Sequence, residues 1–473
     1  MRHLETDYLV VGAGASGMAF VDTLIADTPD IDAILVDRRH RPGGHWLDAY
    51  PFVRLHQPSA YYGVNSRPLG HDRIDETGPN AGFYERATSA EICDHFGRAL
   101  DDLVGSGRVR FLGTSDYRGH DGDGHHVVSL LTGEECTIDV RRKFVDATYV
   151  ESTIPSRHTP GFEIDDGVRF VPPNGLVDLA EPASAFTVIG AGKTAADTCG
   201  WLLDNGVDPD AIRWVRPRDP WTFNREFMQP LDNVGSYMQL QANWVAAAAE
   251  ARDGADFAHR LEDAGVFVRI DPSVEPTMFR GATISPREIA ALRTIERVVL
   301  GTKVRRITPT EIVTAHGSFP TVRGEVHVDC TANGIPSAEP QPVFAPGRIT
   351  LQYVTIGIVP LSAATVAAVE ARRDDDATKN HLCPPVSFSG NVADVLTLAR
   401  DGMAGLVARG SEPDLAAWHE ACRLNPARGA TDHLDDPRVT DAFTSMGANF
   451  GAAMRNLNAV TSASSTATAP EPA

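Results

Sequence analysis

The chain has 473 residues, 42% of them hydrophobic, and a formal net charge of −20. That length exceeds one ordinary domain, and the apolar fraction is ample for buried cores. The acidic balance excludes the basic face that a nucleic-acid partner needs and is read as a solubility feature.

The start of the chain, Met1 to Asp7, runs directly into a strand and leaves no room for a signal peptide, so a cytoplasmic location is expected. The strand feeds Gly12-Ala13-Gly14-Ala15-Ser16-Gly17, a GxGxxG turn followed by a helix-compatible pattern. Gly12 permits the tight turn, Gly14 lets a pyrophosphate approach the backbone, and Gly17 lets the new helix pack on the sheet. The N–H groups opening that helix would face the phosphates. The next strand is Ala33 to Val36, ending in Asp37, a carboxylate placed to accept adenine-ribose hydroxyls. Arg38 begins a glycine-containing loop that reaches Gly43-Gly44-His45-Trp46. It is either a surface loop anchored by Trp46 or a loop folded over a cofactor. Tyr50 to Ser59, with His56 and Gln57, is aromatic and irregular, as expected near a ring-shaped ligand. Tyr61 and Tyr62 read as packing residues that could also line such a site.

Thr88 to Leu103 has helical spacing, with Ser89 as cap and Glu91 following. Val109 to Leu112 reads as a strand and Val127 to Val140 as a hairpin turning at Gly133. Lys143 to Tyr149 reads as a further strand with Asp146-Ala147-Thr148 near its end. A second nucleotide signature then appears. Ala185 to Ile189 is a strand, Gly190-Ala191-Gly192-Lys193-Thr194-Ala195 is GxGxxA, and Ala196 to Leu203 is a helix. Lys193, at the helix start, suits a phosphate contact. The following strand, Ile212 to Val215, ends in Arg216-Pro217-Arg218 rather than an acid. These arginines are either a solvated basic turn or readers of a 2′-phosphate, which favours NADPH over NADH.

Between Trp221 and Arg297 the composition changes. Ala242 to Gly265 and Thr283 to Leu292 read as helices that could cap a substrate. Val304 to Val313 and Val326 to Thr331 return to strand character, and Asp329-Cys330-Thr331-Ala332 echoes Asp146-Ala147-Thr148-Tyr149. Ile349 to Val369 carries no charge and is read as a buried strand, a turn at Pro360 and a small-residue helix rather than a membrane span. Asp374 to Asp376 is an exposed acidic run. Val392 to Val407 and Asp414 to Leu424 look helical, and Leu457 to Ala473 has the composition of a disordered tail. Six cysteines, Cys93, Cys136, Cys199, Cys330, Cys383 and Cys422, form no close pair, which argues against a disulfide framework, a metal site and a dithiol redox centre.

With one GxGxxG at the N-terminus, one GxGxxA near the middle, the Gly43-Gly44-x-Trp46 loop and the two Asp-x-Thr strand ends, the chain resembles the FAD- and NADPH-dependent flavoproteins of the flavin-containing monooxygenase superfamily. The resemblance covers Asp7 to Arg372. It implies an α/β fold with two Rossmann-like dinucleotide-binding domains: 1–180 with 326–372 for FAD, 181–325 for NADPH with a helical insertion at 221–297, a helical region at 373–456 and a disordered tail at 457–473. It places FAD on Gly12, Gly14, Ala15, Ser16, Gly17, Asp37 and Arg38, with its ring near Gly44, His45, Trp46, His56, Gln57 and Thr148. NADPH falls on Gly190, Gly192, Lys193, Thr194 and Ala195, with Arg216 and Arg218 on the 2′-phosphate. Hydride would pass to flavin N5 and O₂ would add at C4a, with a small organic molecule as substrate. No catalytic residue is demanded. His45, His56 and Gln57 are the candidates, and each histidine is equally readable as a loop anchor. Two departures stand out: the missing cysteine pair of disulfide reductases, and the stretch Phe162 to Pro173, which lacks the histidine of the Baeyer–Villiger FxGxxxHxxx pattern. A flavin dehydrogenase without oxygen transfer and a non-catalytic flavin sensor are therefore alternatives. Nothing in the sequence assigns an oligomeric state.

Overall fold

The computed structural model describes residues 2–334 and 338–467. The first sheet begins with β1 (Arg2–Val11), α1 (Ala15–Asp27), β2 (Ala33–Val36), α2 (Ser89–Gly105) and β3 (Val109–Leu112), then an antiparallel excursion through β4 (Ser115–Asp121) and β5 (Gly124–Ser129) into β6 (Glu135–Asp146). β1 lies between β2 and β6 and is parallel to both. Tyr8, Leu9 and Val10 are almost fully buried, as a strand covered on both faces requires. The hairpin expected at Gly133 forms between β5 and β6, but its second arm and the strand expected from Lys143 are one 12-residue strand. It pairs with β1 from Arg2 to Val11, with one register shift between Thr6 and Tyr8. The cap of α2 is Thr88, not Ser89. Thr88 Oγ1 accepts from Glu91 N–H while the Glu91 carboxylate accepts from Thr88 N–H at 2.7 Å, a capping box that closes two open donors.

The second sheet follows β7 (Glu163–Ile164). Its strands are β8 (Arg169–Val171), β9 (Phe186–Ile189) leading into α3 (Lys193–Asp204), and β10 (Ile212–Arg216). The chain then leaves through β11 (Pro220–Asn224), α4 (Val234–Glu250), α5 (Gly254–Asp263), β12 (Phe267–Val268), β13 (Met278–Ile284) and α6 (Pro286–Leu292). It returns through β14 (Arg297–Leu300), the hairpin strands β15 (Val304–Ile307), β16 (Glu311–Thr314) and β17 (Gly317–Pro320), and β18 (Val326–Asp329). The all-parallel order is β14-β10-β9-β18-β8. Two sequence expectations change here. The strand expected to return to the first unit at 326 pairs with β9 and β8, so it completes the second sheet. The 221–297 segment is not only helical, because β11, β12 and β13 form a three-stranded sheet of their own. Thr283 lies in β13, which ends at Ile284, and α6 starts after a Ser285 cap. The alanine-rich stretch is two helices, divided where Asp253 caps α5.

The chain rejoins the first sheet through β19 (Phe344–Ala345) and β20 (Arg348–Thr350), which pairs with β6. It continues into α7 (Val359–Arg372), α8 (Asp376–Leu382), α9 (Val395–Gly410), α10 (Pro413–Ala421) and α11 (Pro437–Ala467). Pro360 sits in the first turn of α7, where no intrahelical donor is lost. Ala363, Ala364, Ala367 and Ala368 are buried and let α7 lie close to α1. No helix among the described residues is long and apolar enough to cross a membrane.

The disordered tail expected from Leu457 is corrected over its first part: α11 runs on to Ala467. Leu457 is fully buried, Asn456 Nδ2 donates to Ala248 O at 3.0 Å and Ala251 O at 2.7 Å, and Arg400 donates to Thr461 Oγ1 at 2.8 Å. Small residues give little apolar bulk, but the alanine face of α4 accepts them, and an existing helix extends at low cost. Residues 468–473 of that expectation lie outside the described residues.

Candidate functional site

The first glycine turn is tightly enclosed by backbone. Gly12 has φ +106°, and a β-carbon there would press within 3.1 Å of Thr148 Cγ2. A β-carbon on Gly17 would overlap the Gly12 carbonyl oxygen. Gly14 caps α1 with no side-chain cap, so the amides of Ala15, Ser16 and Gly17 have no hydrogen-bond partner among the described residues. Open amides at a helix N-terminus suit a phosphate. The loop after β2 closes over the turn: Gly43 N–H donates to Ala13 O at 2.9 Å, and a β-carbon on Gly44 would lie 2.9 Å from Gly14 Cα. Asp37 is buried, its two oxygens accepting Ala13 N–H at 2.6 Å and Arg39 N–H at 2.7 Å. Each oxygen keeps a second lone pair. Arg38 points outward to Asp116 at 3.4 Å.

The second turn repeats the plan. Gly190 has φ +137°, its β-carbon position blocked by Cys330 backbone, and Gly192 caps α3 with no side chain, leaving the amides of Lys193 and Thr194 open. Both turns are braced by the same latch. Asp146 Oδ1 accepts from Thr148 N–H at 3.0 Å and Oγ1–H at 2.7 Å; Asp329 Oδ1 accepts from Thr331 N–H at 2.9 Å and Oγ1–H at 2.6 Å.

Two cavities lie side by side. The larger, about 860 Å³, is lined by His45, Trp46, His56, Gly190, Gly192, Lys193, Thr194, Phe162, Arg218, Arg280 and Lys303, among others. The smaller, about 300 Å³, is mostly apolar, with Phe223, Trp244, Phe279, Met403 and Phe450 in its walls and Gln57 and Tyr61 at one side. Strand β13 is the partition. Met278, Arg280 and Ala282 face the larger cavity, while Phe279, Gly281 and Thr283 face the smaller. The two-residue repeat of a strand thus gives one element two chemically different faces. His56 and Gln57 divide the same way.

The structure distributes the other expected residues unevenly. Trp46 Nε1 donates to Tyr62 OH at 2.8 Å, and its ring lies 4.9 Å from that of His45. His45 is pushed down to about 4, by burial first and by Arg39 second. His56 is likewise near 4, through burial and then Lys193, so both imidazoles are neutral at pH 7. Lys193 is not a free cation: it pairs with Asp197 one turn along α3, and Tyr50 OH donates to the same carboxylate at 2.8 Å. Ala195 is fully buried at the helix–sheet contact, where the first turn has Gly17.

Arg216 corrects the sequence reading. It is 2% exposed, lies 4.9 Å over the Trp214 ring, and pairs with Asp219 at 3.4 Å and Asp271 at 3.7 Å. Strand alternation turns it away from the cavity, whereas Arg218, past the strand end, is exposed and lines it. Arg280 and Lys303 line the same cavity and were not read from sequence, since neither neighbours a motif in the chain. Arg218 depresses Arg280 after burial does, so the two cations are close. The other omission is Glu288, which pairs with Arg225 at 2.6 Å and Arg86 at 3.5 Å; Arg225 Nε also donates to His56 O at 3.4 Å. Its Ser285-x-x-Glu288 capping box was legible as a helix start, not as the hub of a charge cluster.

No family model matches the chain. A protein of Mycobacterium tuberculosis, Rv2000, and its Mycobacterium bovis counterpart, Mb2023, both described as uncharacterized, are 42% identical to it over 448 residues, which cover 94% of this chain and 82% of theirs. A putative FAD-containing monooxygenase of Mycobacterium tuberculosis, MymA, is 33% identical over 87 residues, 18% of each chain. Among solved structures, a cyclohexanone monooxygenase with bound ε-caprolactone superposes with a TM-score of 0.52 at 13% identity, over 91% of this chain and 98% of that one. An oxidized steroid monooxygenase bound to NADP gives 0.50 at 14%, over 78% and 85%. At that identity the likeness is one of fold. The chain therefore belongs to the family of the mycobacterial proteins Rv2000 and Mb2023, and it has the two-dinucleotide-binding-domain fold of the flavoprotein monooxygenases.

Proposed function

We propose that the protein is an FAD- and NADPH-dependent monooxygenase of a small organic molecule. The observation that carries this reading is the partition by β13: a polar, cation-lined cavity beside a second glycine turn on one side and an apolar cavity on the other. In this reading Gly12, Gly14, Ala15, Ser16 and Gly17 hold the FAD pyrophosphate, Asp37 the ribose, and Gly44, His45, Trp46, His56, Gln57 and Thr148 surround the ring. Gly190, Gly192, Lys193, Thr194 and Ala195 hold NADPH, with Arg218 on its 2′-phosphate. FAD supplies two-electron chemistry with the nicotinamide and with O₂. The chain's own residues bind, orient and exclude water. Phe223, Trp244, Phe279 and Phe450 wall the apolar side, and a neutral His56 donates one hydrogen bond and accepts one. Burial first, and then the cations Lys193, Arg86 and Arg225, keep His56 unprotonated against the opposing pull of Asp197.

The test is NADPH oxidation by the FAD-loaded protein under ¹⁸O₂ with a panel of small organic substrates. Incorporation of one ¹⁸O atom into product, coupled to NADPH consumption, is expected. Because Phe162 lines the larger cavity and the segment after it supplies no histidine in register, a flavin dehydrogenase without oxygen transfer is the second reading. NADPH oxidation with all oxygen released as hydrogen peroxide would select it.

A further inference from the structure

The apolar cavity contains one permanent charge. Among the described residues none that lines it is Asp, Glu or Lys, and its one guanidinium is that of Arg409. Arg409 ends the face of α9 that lines the cavity through Gly402, Met403 and Leu406, and it is 5% exposed. Its Nη1 donates to Leu382 O at 2.8 Å and its Nη2 to Val354 O at 3.3 Å. Two carbonyls fix its position but carry only partial charge.

The rest of the molecule supplies the comparison. Every other arginine or lysine among the buried described residues has a carboxylate within salt-bridge reach: Arg86 and Arg225 have Glu288, Arg213 has Glu325, Arg216 has Asp219 and Lys379 has Glu370. Arg409 forms no ion pair among the described residues. The thiol of Cys383 is the one group that favours its charged form, and burial outweighs it. His419, beside it, is held neutral, near 4, by burial first and by Arg409 second, so it offers no counter-charge. A guanidinium does not shed its proton at physiological pH. A buried charge without a partner is strongly unfavourable, and this fold avoids it at every other buried cation.

We propose that the apolar cavity takes a molecule with a hydrocarbon or aromatic body and a carboxylate, and that Arg409 is the specificity-determining residue that pairs with the carboxylate. The proposal rests on reading this cavity as the substrate site. The missing counter-charge would then arrive with the ligand, and the surrounding Phe, Met and Trp side chains would bury its body. A neutral isostere would fill the same space and leave the guanidinium unmatched.

Binding decides this without turnover. The FAD-loaded full chain, with no NADPH present, is titrated with octanoate and octanamide, and with 3-phenylpropanoate and 3-phenylpropanamide. The readout is fluorescence of Trp244, which lines the cavity, with Trp244→Phe assigning the signal. At least one acid is expected to bind about tenfold or more tighter than its amide, the span of a charge-assisted hydrogen bond. Arg409→Met should remove that preference while leaving amide binding within about twofold, and Arg409→Lys should retain part of it. Circular dichroism and melting establish that each variant folds, and the wild-type acid-to-amide ratio stands without either. Equal affinity for acid and amide, no binding by either acid, or a preference that survives Arg409→Met overturns the proposal. Acid preference without ¹⁸O transfer would overturn the monooxygenase reading and leave this one standing.

Discussion

The two glycine turns share a scaffold and differ in what they close on. Each follows a buried strand, opens a helix with no side-chain cap, and is braced by an aspartate that accepts both the amide and the hydroxyl of a threonine two residues on. In the first, the helix approaches its strand so closely that only glycine fits at position 17; in the second, Ala195 fills that contact. In the first, a buried Asp37 sits at the tip of the next strand. In the second, the corresponding charge, Arg216, is turned into the core, and the cavity takes its positive charge from Arg218, Arg280 and Lys303. In the proposed reading one plan serves two nucleotide sites, the backbone meeting the phosphates and side chains past the strand ends setting which nucleotide is read.

The largest break in that comparison should come from Gly17→Ala, which forces a methyl into the Gly12 carbonyl. A loss of more than about 4 kcal/mol in stability, with loss of bound flavin, is expected from thermal melting and the visible spectrum. The reverse change in the second turn, Ala195→Gly, should cost only about 1 kcal/mol plus a small cavity. Similar losses from both would mean that the turns are packed alike.

Arg216→Ala and Arg218→Ala should separate stability from selectivity. Arg216→Ala leaves Asp219 buried and unmatched, and about 3 kcal/mol of stability is expected to go, with the ratio of KM for NADPH to that for NADH unchanged. Arg218→Ala should leave the melting temperature alone and raise that ratio about tenfold. A ratio that moves with Arg216 and not with Arg218 would return the phosphate to the core arginine.

The smallest effect is one of pH. His45 and His56 are held neutral, near 4 against an ordinary 6.5, chiefly by burial. The unfolded chain therefore binds more protons than the folded one between those values, and stability falls as pH drops from 6.5 toward 4. Above pH 7 the two histidines contribute no slope. Denaturant unfolding at pH 7 and pH 5.5 checks this, and replacing either histidine by glutamine should flatten the acid-side slope. An unchanged slope in both variants would show that other groups set it.

Much of the chain was legible in order. The strand–turn–helix units at Gly12 and Gly190, the paired Asp-x-Thr ends and the strand–Pro360–helix reading of the uncharged stretch rest on local backbone demands: positive φ, an open helix N-terminus, a first-turn proline. Less legible were Arg216, whose side of the strand depends on register, and Thr88, which took the cap from Ser89 because Glu91 lies three residues beyond it. The small sheet of β11, β12 and β13 was also hidden, since α4 and α5 separate β11 from the other two strands and the alternation of β13 sorts residues between two cavities rather than between core and solvent.

Taken alone, the order of residues determined where the two uncapped helix N-termini stand, because a glycine turn entering a helix needs nothing beyond its own neighbours. Only the tertiary structure decided which charges face those turns, that β13 divides a polar cavity from an apolar one, and that Arg409 is the one buried cation without a carboxylate among the described residues. Each of these depends on residues far apart in the chain being brought within a few ångströms, and pairing over such distances leaves no local periodicity to read.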